Sequence, residues 1–311
     1  VTLTPLTRPR RLRPGARVAV VAPCGPVPED RLEEGLAVLR SWDLDPVVSP
    51  HVRDGHRQFG YLSAYDGDRA RDLTEAWCDP SVDAVLCARG GYGAQRMVDR
   101  LDWGSIRAAG PKVFVGFSDV TVLHEAFAAR MGLATLHGPM IGTLGFLKDE
   151  TTREHLRATL FEPESVRVIA SDTARPLIPG RARGITFGGC ASLLAAELGT
   201  EKARSSAAGG LLFLEDVGEE DYRLDRILTQ LLRGGLLDGV TGVALGSWAE
   251  CGPYEDGIRE VLRDRLGGLG VPVVEELGFG HGEVNLTVPL GAPAVLDADA
   301  GTVTLERPAL L

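Results

Sequence analysis

The chain has 311 residues, more than one ordinary domain holds and comfortable for two. Its hydrophobic fraction of 44% and charged fraction of 24% are those of a soluble globular protein. A formal net charge of −10 argues against nucleic acid or an anionic membrane as main partner, because both require a basic surface.

The first fifteen residues, VTLTPLTRPRRLRPG, carry four Arg and no acid, and they read as a solvated arm. The apolar run after them, VAVVA, is shorter than the about 7–15 residues of a signal-peptide core. No apolar run approaches the roughly 18 residues of a membrane span. The chain begins at Val, so its true start is left open. The five cysteines (24, 78, 87, 190, 251) are odd in number and form no C-x-x-C pair, which argues against a disulfide framework or a zinc site. A reducing, cytoplasmic compartment is expected.

Strand and helix signals alternate through the first half. RVAVVAP reads as a buried strand, and PEDRLEEGLAVLRSWD as an amphipathic helix with Leu32, Leu36 and Leu39 on one face. DPVVSP is a short strand, DGDRARDLTEAWCDP a helix, VDAVLCA a strand and GAQRMVDRL a helix. KVFVGF is a strand, VTVLHEAFAARMG a helix stopped by Gly132, and LATLHGP a strand. Such alternation predicts an α/β, doubly wound, Rossmann-like parallel sheet over residues 1–150. Residues 151–180 hold one helix and a Pro-bearing connector, and are read as a linker region. Residues 181–311 mix strands and helices and end in a hairpin, PAVLDADAGTVTLE, giving a second, mixed α/β domain.

Nucleotide fingerprints fail. RGGYGAQR places Arg96 where the third glycine of G-x-G-x-x-G belongs, and no Walker A sequence is present. His51 and His56 flank Asp54 at a spacing that matches no common metal site, so neither metal nor cofactor is expected. Ser118 stands between the strand KVFVGF and the helix that follows. That strand–Ser–helix junction resembles a nucleophile elbow, where a sharp turn lifts the hydroxyl clear and leaves N–H groups facing an oxyanion. Val120 occupies the position of the motif's second glycine, and an ordinary helix cap is the competing reading. His124 is read as structural. His137 either lines the same sheet edge or is packed, and His155 lies in a polar helix. His281, in GFGHGEVN, lies on a glycine-flanked loop. Glu215 and Asp216 end the apolar strand LLFLED. There they either reach into a cleft or, with Glu219, favour the start of the next helix.

With these segments in hand, the sequence resembles the LD-carboxypeptidases of serine peptidase family S66, which includes enzymes that inactivate microcin C. The likeness rests on VAVVAPCGPV, ARGGYG, VGFSD, HGPM, GGCASLLAAELGT, LFLEDVGEEDYRLDRILTQL and GFGHGEVNLTVPLG, spread over nearly the whole chain. The resemblance implies a Ser118–His281–Glu215 triad, with oxyanion donors on the backbone N–H groups of Gly91 and Asp119. It also implies a site in the interdomain cleft, no cofactor and a homodimer. Arg89, Gly90 and Tyr92 are the candidate substrate-binding residues, with Arg89 set to receive the substrate's free carboxylate. Position 190 is Cys where the family pattern has Asn. The first expectation is a cytoplasmic peptidase releasing terminal D-Ala from muropeptide tetrapeptides. The second is a peptidase or amidase that detoxifies an aminoacyl-nucleotide or peptide antibiotic. The third is a non-catalytic binding relative that keeps the fold.

Overall fold

The computed structural model of the protein describes residues 2–200, 204 and 206–311. Apolar runs near the start form five parallel strands: β1 (Arg17–Val21), β2 (Asp45–Val48), β3 (Ala84–Cys87), β4 (Val113–Gly116) and β5 (Thr135–His137). β3 and β4 are buried throughout, as strands covered on both faces must be. Helices Glu29–Ser41 and Glu150–Phe161 close one face through Leu32, Leu36, Leu39, Leu156 and Leu160. Helices Asp66–Cys78 and Thr121–Met131 close the other with Leu73, Trp77, Leu123 and Phe127.

The second sheet takes β6 (Val168–Ala170), β7 (Arg175–Ile178), β8 (Arg181–Cys190), β9 (Gly210–Val217), β10 (Gly242–Ala249) and β11 (Val273–Glu275). After β11 the chain crosses back. β12 (Val288–Leu290) pairs antiparallel with β5 and becomes the sixth strand of the first sheet. β13 (Pro293–Asp297) and β14 (Thr302–Leu305) then form the expected hairpin on the second sheet. That sheet runs β6-β14-β13-β8-β9-β10-β11-β7, with β8 to β11 parallel. The architecture is therefore two-domain α/β, a doubly wound sheet beside a mixed one.

Three details differ from the sequence reading. Residues 151–180 hold helix Glu150–Phe161, packed on the first core, and strands β6 and β7, which close opposite edges of the second sheet. The Arg-rich start is docked: Arg8 donates to Pro308 O at 2.7 Å, and Arg11 bonds Glu164. Asp216 caps a different helix from the one anticipated. Its carboxylate accepts the Ser192 N–H at 2.7 Å, at the start of helix Ala191–Glu197, and the Val217 N–H at 2.9 Å.

Candidate active site

Strand β4 runs straight into a short turn at Ser118. There the backbone adopts φ +64°, a left-handed conformation that a serine takes only when its surroundings impose it. The hydroxyl is thereby carried to the sheet's C-terminal edge. Beside it runs the loop after β3. A side chain at Gly90 would put its Cβ 3.0 Å from Ser118 Cβ, so glycine lets this loop lie close against the serine without displacing it. Gly91 has φ +106°, and its N–H makes no hydrogen bond among the described residues. The Asp119 carboxylate accepts the Ala94 N–H at 2.8 Å, tying the elbow to this loop. Burial pushes the Asp119 carboxyl above its usual range, opposed by that bond. Arg69, only 2% exposed, donates to Pro23 O and Gly93 O, and so ties the loop after β1 to the loop after β3.

The second domain supplies two ionisable groups. Glu215, on β9, is fully buried. Its Oε2 lies 2.6 Å from His281 Nδ1, and His281 Nε2 lies 3.0 Å from Ser118 Oγ. The His281 ring rests against Phe117 at 4.8 Å. Its loop passes close over the acid: a Cβ at Gly280 would stand 2.6 Å from Glu215 Oε2, and the Gly280 N–H donates to Asn285 Oδ1 at 2.9 Å. Burial pushes the Glu215 carboxyl up. The charge of His281, with further contributions from neighbouring His137 and from the His281 hydrogen bond, outweighs that and holds the group well below the usual carboxylate range. Burial lowers His281, and the Glu215 charge and bond more than offset it, so the imidazole is raised above its ordinary value.

Ser118, Glu215 and His281 thus meet in one hydrogen-bonded chain, with Gly90, Gly91 and Asp119 alongside. Arg89 and His281 line one cavity of about 660 Å³, together with Arg31, Phe117, Lys148 and Glu283. Arg89 donates to Pro26 O at 3.0 Å. Tyr92 is 44% exposed, packs edge-on against Tyr61 and does not line that cavity. His124 is bonded at both nitrogens, to Thr135 and to Gly116 O, and burial lowers it to about 3. His155 is half-buried and accepts the Thr287 N–H, and burial lowers it to about 4. His51 bonds Asp72, and His56 accepts from Gln58 and Phe59 N–H groups. The Cys190 thiol donates to Asp216 Oδ1 at 3.3 Å, and burial pushes it far up, away from a reactive thiolate. Asn285 and Arg69 escaped the sequence reading, because an isolated Asn near a turn and an Arg in a polar helix carry no local signal.

Comparison with known proteins places both halves of the chain in one family. Profiles of the LD-carboxypeptidase N-terminal and C-terminal domains match residues 18–138 and 183–296. A putative carboxypeptidase of Streptomyces coelicolor is 70% identical over 98% of this chain and 98% of its own. The crystal structure of muramoyltetrapeptide carboxypeptidase from Oxalobacter formigenes superposes with a TM-score of 0.79 at 31% identity, covering 93% of this chain and 98% of that one. The microcin C7 self-immunity protein of Escherichia coli is 26% identical over 79% of this chain and 80% of its own. The structure of that self-immunity protein with glutamyl sulfamoyl guanosine has the same fold, with a TM-score of 0.87 at 20% identity over 98% of this chain and 99% of that one. Matched in both halves and along nearly its full length, the chain belongs to the LD-carboxypeptidase family of serine hydrolases.

Proposed function

We propose that the protein is a serine carboxypeptidase or amidase acting on a small peptide-like substrate in the interdomain cleft. The observation that carries this reading is the continuous chain from Ser118 Oγ through His281 to Glu215, at 3.0 and 2.6 Å. His281 Nε2 takes the Ser118 proton as Oγ attacks the scissile carbonyl. Glu215 holds the imidazole by Nδ1–H and stabilises the imidazolium. The Gly91 and Asp119 N–H groups receive the oxyanion. The amine leaves with the proton from His281, and water then enters by the same route and releases the acyl group. Arg89, in the same cavity, receives a substrate carboxylate.

Two leaving groups fit. Release of D-Ala from a muropeptide tetrapeptide is supported by the likeness to muramoyltetrapeptide carboxypeptidase and to the 70% identical putative carboxypeptidase. Cleavage of an aminoacyl-nucleotide or peptide antibiotic is supported by the likeness to the microcin C7 self-immunity protein. The cavity bears on it too: about 660 Å³, with Arg31, Arg89 and Lys148 in its lining beside Asp149 and Glu283. That volume suits a leaving group bulkier than a single D-Ala. Mass spectrometry of digests of muropeptide tri-, tetra- and pentapeptides beside an aminoacyl sulfamoyl adenylate decides between them. Turnover of neither, with no labelling of Ser118 by a fluorophosphonate, would favour a binding protein instead.

A further inference from the structure

Glu215 has two carboxylate oxygens, and the chain to Ser118 uses one. Oε2 meets His281, whereas Oε1 is buried and has no hydrogen-bond partner among the described residues. An ionised oxygen left bare in the interior is costly, so a donor is called for. Opposite it stands His137, 1% exposed, with Nε2 at 3.8 Å from Oε1. Both ring nitrogens of His137 are buried and equally unpartnered among the described residues. The separation is about 1 Å longer than an N–H···O hydrogen bond, within reach of a small side-chain shift.

His137 is fixed where such a donor is useful. It ends β5, paired to Gly116 of β4 on one side and to Val288 of β12 on the other. Its ring meets Phe117 and Phe279 edge-on, each at 5.8 Å. Phe117 precedes Ser118, and Phe279 lies two residues before His281. One imidazole therefore adjoins the segments carrying all three groups. His124, whose ring lies 6.3 Å from that of His137, is committed at both nitrogens and offers Glu215 no donor.

We propose that His137 is a positioning residue of this site: its Nε2–H donates to Oε1 of Glu215 and keeps Oε2 aimed at His281. The inference rests on the triad reading above. No covalent bond forms or breaks. A bond at Oε1 draws charge away from Oε2. Without it Glu215 is a stronger base towards the imidazolium, and His281 holds its proton to higher pH. The other ionisable groups acting on the pair are Cys190 and Asp216 at the ends of β8 and β9, and Glu250 after β10. None is altered by a change at 137.

The test measures the rate of Ser118 modification by a fluorophosphonate against pH, with a melting curve for each protein. The variants are His137→Phe, His137→Gln, His137→Asn and Ser118→Ala. Phe keeps the aromatic bulk without a donor, Gln restores a donor near the Nε2 position, and Asn places one near Nδ1. A hydrogen bond to a charged group implies that Phe slows modification about 10–100-fold and moves the acidic limb to higher pH. Gln recovers the rate and the limb, and Asn does not. Where Phe fails to fold, the Gln–Asn contrast carries the test. Wild-type rate and limb in Phe, or equal behaviour of Gln and Asn, would overturn the proposal. Modification of Ser118→Ala at the wild-type rate would instead overturn the nucleophile assignment, and this inference with it.

Discussion

The first domain contributes to the site through its backbone. Ser118 sits at φ +64° and Gly91 at φ +106°, and a methyl group at Gly90 would press on Ser118 at 3.0 Å. The second domain contributes charge. Glu215 is buried and held ionised, and His281 is raised by it. One half fixes where atoms are, and the other fixes where protons are. A serine hydrolase needs both. The division separates two kinds of damage: changes at the elbow and the Gly90–Gly91 loop, which alter geometry without altering titration, and changes at Glu215 or His281, which alter titration, with the proposed His137 bond from β5 as the point where the two meet.

The largest effect is expected where the halves meet. Ser118→Ala should lower kcat/KM by about 10⁶-fold and leave the melting temperature nearly unchanged, with the Ser118→Ala/His281→Ala double variant no slower than the single one. A double variant much slower than either single would mean that the two halves act independently. Next comes Glu215→Gln, which keeps the shape of the acid and removes its charge. Activity should fall about 10⁴-fold, through loss of the imidazole's orientation and of the imidazolium's partner. Near-normal turnover would remove electrostatics from the second domain's part.

Gly91→Ala probes the first domain alone. The position needs φ +106° and is expected to supply an oxyanion N–H. A displaced donor of this kind costs about 10²–10³-fold in kcat with KM little changed. A fall confined to KM would place the loop in binding and not in the reaction.

The pH dependence sharpens the contrast further. His281 must be unprotonated to act as base, and its folded value lies above the ordinary 6.5. The acidic limb of kcat/KM should therefore fall above 6.5 in the wild type and move down in Glu215→Gln, with Gly91→Ala leaving it in place. The sign for stability differs between the two groups. The raised His281 contributes stability that is present below its unfolded value and lost as pH rises through the folded one. The depressed Glu215 contributes stability present above its unfolded value and lost as acid approaches the folded one. The smallest effect is expected at Cys190→Asn. Its thiol is a weak donor to Asp216, so an amide there should change kcat/KM by no more than about tenfold.

Much of the first sheet was readable because parallel strands announce themselves as apolar runs alternating with amphipathic helices. Ser118, Glu215 and His281 were readable together only through the family resemblance, since their local settings left a helix cap, a helix-start acid and a turn histidine open as readings. What stayed hidden depends on pairing across long separations. Nothing local in NLTVPL says that Val288–Leu290 leaves the second domain to flank β5. Nothing in Val168–Ala170 or Arg175–Ile178 says that they close opposite edges of one sheet, since edge register is set by the partner strand. Asp216 was assigned to the wrong helix because chain proximity favoured Asp221–Arg233, whereas the fold brings Ser192 closer. The bond from the Asn285 N–H to Thr152 Oγ1, which ties the His281 loop to the helix packed on the first core, is visible only once the loops are placed.

β12 has a consequence for how the molecule is made. During translation the first five strands emerge early, with β5 as an open edge able to pair with a stranger's strand. Residues 288–290 reach it only after His281 has left the ribosome, and Ala309 and Leu310 complete the first core last of all. The nascent chain therefore carries its serine early and its base late. On the proposed triad, hydrolytic competence waits for His281, and a chain truncated before residue 281 leaves the β5 edge without β12 and lacks the proposed base.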